Sequence, residues 1–196
     1  MAARIVCLCA IQIVAGAVSP VVRAQQPPES RPMEYRVLAT SRTATMEKEL
    51  NAAAATGFRF AGVMGGETAF GGQEVVAIMT RVAEPGASYE YKLLAASRTS
   101  TMQKELQAAA DRGFEYRGQT VFKTMFGGAE VVVILEHDRQ ATLKQWEYRL
   151  LATSKTSTMQ KELTQAGESG FEYVGLTVGE TAVGGSEVVV ITRRLR

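Results

Sequence analysis

The chain of 196 residues contains 22 lysine and arginine residues, 20 aspartate and glutamate residues, one histidine and two cysteines. Its hydrophobic content of 46% and charged content of 21% are ordinary for a soluble globular protein, which excludes a wholly disordered chain. A mean hydropathy of −0.03 excludes a polytopic membrane protein.

The first 24 residues have the pattern of a secretory signal peptide. Arg4 precedes an apolar stretch over residues 5–18 that only Gln12 interrupts, and Val22 and Ala24 suit positions −3 and −1 of a cleavage site. The stretch is shorter than the roughly 18–20 residues that cross a bilayer. We expect cleavage after Ala24, with an uncleaved N-terminal anchor as the alternative, and a disordered leader over residues 25–32.

Cleavage would change the chemistry that the chain can perform. It removes both cysteines and two arginines but no acidic residue, so the net charge falls from +2 to zero. The mature chain would have no disulfide, no thiol nucleophile and no thiolate metal ligand, and no positive charge excess for nucleic acid. We expect a periplasmic or secreted protein without a membrane span after cleavage.

The remaining sequence consists of three copies of one unit. The tripeptides Glu34-Tyr35-Arg36, Glu90-Tyr91-Lys92 and Glu147-Tyr148-Arg149 recur at offsets of 56 and 57 residues. The same offsets relate Gly57-Phe58, Gly113-Phe114 and Gly170-Phe171. We therefore predict three repeats over residues 33–81, 89–137 and 146–194.

Each repeat begins with a predicted strand, followed by a Ser/Thr cluster and a helix. In the first repeat the apolar positions of the helix form one narrow face: Met46, Leu50, Ala53 and Ala54. Capping boxes are predicted in the second and third repeats, and a threonine cap in the first: Ser100 with Gln103, Ser157 with Gln160, and Thr43 or Thr45. The glycine after each helix suits a left-handed C-terminal cap.

Two further strands complete the unit, joined by a hairpin loop that contains a Gly-Gly pair. The third strand is apolar on both faces, as in the run Val131-Val132-Val133-Ile134-Leu135. Such a strand is typical of a central, fully buried position, which predicts the strand order 1-3-2. Because one helix covers one face, the second face must lie against another copy or another subunit. The predicted fold is α+β: three tandem β-α-β-β repeats with mainly antiparallel sheets and one helix each, packed as a pseudo-symmetric body.

These motifs carry a family resemblance. Glu-Tyr-Arg/Lys in the first strand, Met-x-Lys-Glu-Leu in the helix and Gly-Phe-Glu-Tyr after it resemble the bacterial family called "domain of unknown function 4177". The resemblance covers residues 34–81, 90–137 and 146–193. Phe58, Phe114 and Phe171 stand where that family usually has Trp, and Arg59 stands where Glu is expected. The resemblance implies the β-α-β-β fold and implies no activity.

The best candidate binding site is the start of each helix. A basic side chain beside the free amides of a helix N-terminus can hold an anion or an acidic partner, and the alternative is a solvated cation beside a plain cap. The predicted binding residues recur three times: Arg42 and Thr43, Arg98 and Thr99, and Lys155 and Thr156.

No catalytic residue, metal site or cofactor is predicted. His137 stands alone at the end of a strand, and we expect it to be solvated rather than catalytic. Glutamates recur at three positions in every repeat, which would suit surface or strand-edge positions: Glu34/Glu90/Glu147, Glu49/Glu105/Glu162 and Glu74/Glu130/Glu187. A metal site is not expected, because the mature chain offers one histidine, no cysteine and only two aspartates.

The sequence favours a non-enzymatic exported module that binds a protein partner or a small ligand through surfaces between repeats. One alternative is an enzyme that uses two carboxylates on an envelope substrate, which would require two glutamates to converge in an apolar pocket with raised pKa. The other is a purely structural assembly protein, with homo-oligomers as one form of it.

Overall fold

The computed structural model describes residues 33–67, 73–81, 88–96, 98–123, 129–180 and 186–196. The predicted signal peptide, the predicted leader and the Gly-Gly pairs of the predicted hairpin loops lie outside these residues; the pairs are Gly71-Gly72, Gly127-Gly128 and Gly184-Gly185. Residues 33–196 form one compact unit. No helix in the described ranges is long and apolar enough to cross a membrane.

Three β-α-β-β repeats follow one another along the chain, as predicted. Repeat 1 comprises β1 (Tyr35–Thr40), α1 (Thr43–Ala54), β2 (Phe58–Glu67) and β3 (Gln73–Arg81). Repeat 2 comprises β4 (Tyr89–Ala96), α2 (Thr99–Ala110), β5 (Glu115–Lys123) and β6 (Ala129–Asp138). Repeat 3 comprises β7 (Trp146–Thr153), α3 (Thr156–Glu168), β8 (Glu172–Glu180) and β9 (Ser186–Leu195).

The third strand of each repeat is central, which confirms the predicted order. The three antiparallel sheets run β1-β3-β2, β4-β6-β5 and β7-β9-β8. We call the sheet face that carries the repeat's own helix the helix face, and the opposite face the back face. In repeat 1, Val75, Ala77 and Met79 lie on the helix face, and Val76 and Ile78 lie on the back face.

The helices form where the apolar spacing predicts them. All four predicted apolar residues of α1 are buried, and the glycine after each helix has a positive φ: 86° at Gly57, 88° at Gly113 and 81° at Gly170. Only Met159 and Ala166 are buried in α3. Helix α3 belongs to the third repeat and has fewer buried residues than α1 and α2.

The second strand of each repeat carries a β-bulge that changes which residues share a face. The register shifts between Phe60 and Gly62, so that Phe60 lies opposite Met79 and Gly62 lies opposite Ile78. Phe60 and Gly62, which would share a face in a regular strand, are thereby placed on opposite faces of the sheet. The same shift occurs at Tyr116/Gly118 and Tyr173/Gly175.

The repeats stack in one direction. The helix face of repeat 1 buries α1 and also the back face of repeat 2, whose Tyr91, Val132 and Ile134 belong to the same apolar cluster. The helix face of repeat 2 buries α2 together with Tyr148 and Ile191 from the back face of repeat 3. Each joint is therefore formed by two different surfaces, the helix face of one repeat and the back face of the next.

The expectation that a neighbouring copy covers the second face is confirmed for repeats 2 and 3. Among the described residues no repeat of this chain covers the back face of repeat 1, and cover by another subunit stays a prediction there. Tyr35, Val37 and Ala39 are exposed on its back face, and Val76 and Ile78 are only partly buried.

Candidate functional site

The predicted anion-binding residues lie where the sequence placed them, at the first turn of each helix. Arg42, Arg98 and Lys155 are extended N-cap residues with exposed side chains, and Thr43, Thr99 and Thr156 are the first helical residues. None of these helices has an acidic residue in its first turn. No hydrogen bond or ion pair found in the described ranges joins one pair to another. They form three separate candidate positions, and anion binding there stays a prediction.

The predicted capping boxes and the threonine cap are wrong. The N-cap residues make no side-chain capping hydrogen bond, and Ser100 and Ser157 lie inside the helices. Gln103 instead donates from Nε2 to the Tyr148 carbonyl at 2.9 Å and accepts from the Leu150 amide at 2.7 Å. The Gln103 side chain, which a capping box would need, is therefore bonded to the backbone of strand β7 in the next repeat.

Helix side chains bind the first strand of the following repeat at both joints. Asn51 donates to the Tyr91 carbonyl and accepts from the Tyr91 amide, both at 2.9 Å. Gln107 does the same at the second joint, with the Trp146 carbonyl and the Tyr148 amide. These side chains satisfy backbone groups that an edge strand would otherwise leave unpaired.

A ring of one repeat rests on a glycine of the next at both joints. A Cβ atom at Gly118 would lie 3.2 Å from the Phe60 ring. A Cβ atom at Gly175 would overlap the hydroxyl of Tyr116, which occupies the position of Phe60 in repeat 2. Gly175 is therefore needed for close approach of the neighbouring repeat, and a side chain at Gly118 would require the Phe60 ring to shift.

The first joint contains a buried carboxylate that was not among the predicted site residues. Glu136 is fully buried, and its Oε1 lies 2.8 Å from Nη2 of Arg59 and 2.6 Å from Nη2 of Arg117. Its Oε2 accepts a 2.8 Å hydrogen bond from the Tyr91 hydroxyl, which itself accepts from the Phe60 amide. The hydrogen bond to Glu136 raises the pKa of Arg59. Burial, and then the Glu136 charge, raise the pKa of Tyr91, so that this hydroxyl keeps its proton.

The polarity of the ion pair is reversed at the second joint. Arg193 occupies the position of Glu136, and Glu115 occupies that of Arg59. Arg193 bonds Glu172 within its own repeat at 2.7 Å and lies 3.9 Å from Glu115 of repeat 2. A charge on the back face of one repeat thus meets the opposite charge on the repeat before it at both joints.

A small cleft of about 150 Å³ lies beside the first joint. It is lined by charged residues that include Arg59, Arg117, Glu115 and Glu136, and by His137. Contrary to the expectation of a solvated residue, His137 is partly buried, with its ring 5.4 Å from the ring of Phe114. No group of three metal-ligating side chains is found in the described part of the chain.

Glu115 and Glu136 are cross-strand neighbours in this cleft. An enzyme of the alternative kind would need a carboxylate pair such as this one. Both oxygens of Glu136, however, are held by arginines and a tyrosine, and Glu115 is paired with Arg193. The arrangement is that of a structural ion pair rather than of an acid and a base in an apolar pocket.

The glutamates that begin each repeat are also paired. Each bridges an arginine near the end of the same repeat's third strand: Glu34 with Arg81, Glu90 with Arg139, and Glu147 with Arg194. The hydrogen bond from Arg81 lowers the pKa of Glu34. These residues fasten the start of each repeat to its end.

The two terminal faces of the row are apolar and exposed. Met64, Tyr35 and Val37 project from the back face of repeat 1. Tyr173, Leu176 and Val178 project from the helix face of repeat 3. The equivalent faces of the neighbouring repeats are covered at the two joints inside the chain.

No protein-family model, curated protein or solved structure matches the chain. The resemblance to "domain of unknown function 4177" therefore stays a prediction.

Proposed function

We propose that the protein is an exported, non-enzymatic interaction module that binds a protein partner through the exposed sheet faces at the ends of the repeat row. One observation carries the proposal. Positions that are buried or partly buried between repeats remain apolar at both ends of the row, where they are open to solvent.

Two physical expectations make this observation informative. Contiguous exposed apolar surface on a soluble protein marks an interaction site, and the end repeats of a stacked array need a polar outer face if nothing covers them. Each end of this row instead presents apolar side chains among its described residues. Val37 is 63% exposed on one end and Leu176 is 54% exposed on the other.

The charge of the chain supports a protein partner. The mature form would carry equal numbers of basic and acidic side chains, and at both joints charged side chains of the repeats are paired with each other. A neutral protein with paired charges has little electrostatic attraction for nucleic acid. Apolar sheet faces are suited to bind another protein surface.

Site-specific crosslinking in cells that export the protein tests the proposal. A photoreactive amino acid would replace Val37 on the first end and Leu176 on the second, and Leu143 is the matched control because it is a similarly exposed apolar residue in the segment before β7. We expect protein adducts from Val37 and Leu176 and none from Leu143. Equal yields at all three positions, or no adduct from either face, would refute the proposal.

A further inference from the structure

We infer that the partner at these faces is a second copy of the same chain, bound head to tail. The helix face of repeat 3 in one copy docks on the back face of repeat 1 in the next, and so repeats the joints within the chain. This inference rests on the proposed function, since it names the occupant of the same two faces.

The back face of repeat 1 presents the residues that the internal joints bury. Tyr35 occupies the position of Tyr91 and Tyr148. It is 61% exposed, whereas Tyr91 is 2% exposed and Tyr148 is 3% exposed. Ile78 likewise corresponds to the buried Ile134 of repeat 2.

The ring and the glycine of a third joint are both present and unused. Tyr173 occupies the position of Phe60 and Tyr116 on the helix face of repeat 3, and it is 60% exposed. Gly62 occupies the position of Gly118 and Gly175 on the back face of repeat 1. No atom of the described residues lies within 4 Å of a Cβ built at Gly62. The ring of one copy therefore matches an open glycine on the next.

The hydrogen-bonding groups of a third joint are also in place. At the internal joints the hydroxyls of Tyr91 and Tyr148 accept from the Phe60 and Tyr116 amides. Tyr35 and the Tyr173 amide would form the equivalent bond between copies.

The side chains that would bind the incoming strand lie on α3. Gln160 and Thr164 occupy the positions of Gln103 and Gln107, which bind β7. In α3, Gln160 donates to the Thr164 hydroxyl at 3.3 Å. Strand β1 of the next copy would provide the backbone groups that β7 provides at the second joint.

The charges allow this contact. Glu172 of repeat 3 occupies the position of Arg59 and Glu115, and Thr80 of repeat 1 occupies the position of Glu136 and Arg193. Glu172 of one copy would therefore face Thr80 of the next. A hydroxyl can donate to a carboxylate, so no like charges meet. A contact between two different surfaces produces a ring if the rotation closes and a filament if it does not.

Variants that block one face each provide a sharp test. Val37→Glu places a charge on the back face of repeat 1, and Leu176→Glu places one on the helix face of repeat 3. Leu143→Glu is the matched control. All three residues are exposed, and circular dichroism verifies folding. Gly62→Gln is a second back-face variant that fills the open glycine position without a charge.

The measurement is the molar mass of the mature chain by sedimentation and by light scattering over a concentration series. We expect wild type and Leu143→Glu to form ring or filament masses, and each face variant to associate at least about tenfold more weakly. An equimolar mixture of Val37→Glu and Leu176→Glu should form a dimer and nothing larger, because each partner retains one intact face.

Three results would overturn the inference: a wild type that is monomeric up to about 100 μM, loss of assembly in only one of the two charge variants, or a mixture that forms no dimer. Adducts of Val37 and Leu176 with a different protein, together with a monomeric wild type, would overturn self-assembly and leave the proposed function intact. Absence of adducts together with a monomeric wild type would overturn both.

Discussion

Replacement of one isoleucine at the same position of each repeat measures how much the stacking contributes to stability. Ile78, Ile134 and Ile191 lie on the back face of the central strand in repeats 1, 2 and 3. Ile134 is 1% exposed, Ile191 is fully buried, and Ile78 is only partly buried. The three changes to alanine are chemically identical and differ in whether a preceding repeat covers the site.

The expected cost follows from burial. Ile134→Ala and Ile191→Ala should each lower the free energy of unfolding by about 2–5 kcal/mol, through lost transfer energy and a residual cavity. Ile78→Ala should cost about 1–2 kcal/mol, because part of the side chain is already in water. With a urea slope of about 2 kcal/mol per M, a loss of about 3 kcal/mol lowers the midpoint by about 1.5 M.

The assay uses two probes of urea unfolding at low micromolar concentration, so that association between copies does not bury Ile78. Trp146, the one tryptophan of the chain, reports on repeat 3, and far-ultraviolet circular dichroism reports on all three repeats. Because the sheet of repeat 2 takes part in both joints, Ile134→Ala should shift both transitions equally. Equal costs at the three isoleucines, or a Trp146 transition that Ile134→Ala leaves unmoved, would refute this account of the stacking.

Four further outcomes are expected. Glu136→Ala should lower the free energy of unfolding in urea by about 2–4 kcal/mol, because it leaves partly buried arginines unpaired. Glu90→Ala, at an exposed ion pair, should lower it by less than about 1 kcal/mol. Equal losses would contradict the structural role of Glu136. Burial raises the pKa of three tyrosines: Tyr91, Tyr116 and Tyr148. The free energy of unfolding should therefore be intact below about pH 10 and fall above it by up to about 1.4 kcal/mol per pH unit for each tyrosine. Unfolding free energies measured at about pH 9 and about pH 11 would show this. The three N-cap cations are Arg42, Arg98 and Lys155, and replacing all of them by glutamine should weaken binding of an anion such as phosphate at low salt. Each charge should contribute about 0.3–1 kcal/mol. Unchanged affinity by calorimetry would favour the alternative, that these side chains are solvated cations. N-terminal sequencing of the exported protein should begin at Gln25, and an intact Met1 would contradict cleavage after Ala24.

The repeats, their elements and the order of the strands were predictable from the sequence, because each depends on residues close together in the chain. A helical spacing of Met46, Leu50 and Ala53 is enough to define the buried side of α1, and Gly57 marks its end. The apolar run of β6 predicts a central strand, since only that position buries both faces. These are local patterns repeated three times.

Only the tertiary structure decided which surfaces meet and which residues form the joints. Arg59 and Glu136 are 77 positions apart, and the partner of Gln103 is the backbone of a strand in the next repeat. One signal for Glu136 was present in the sequence, because it continues the alternation of Val132 and Ile134 along one face of the strand. Its partner was not predictable, because the bulge that reorients Phe60 and the stacking that brings Arg59 to Glu136 arise only when whole sheets pack together.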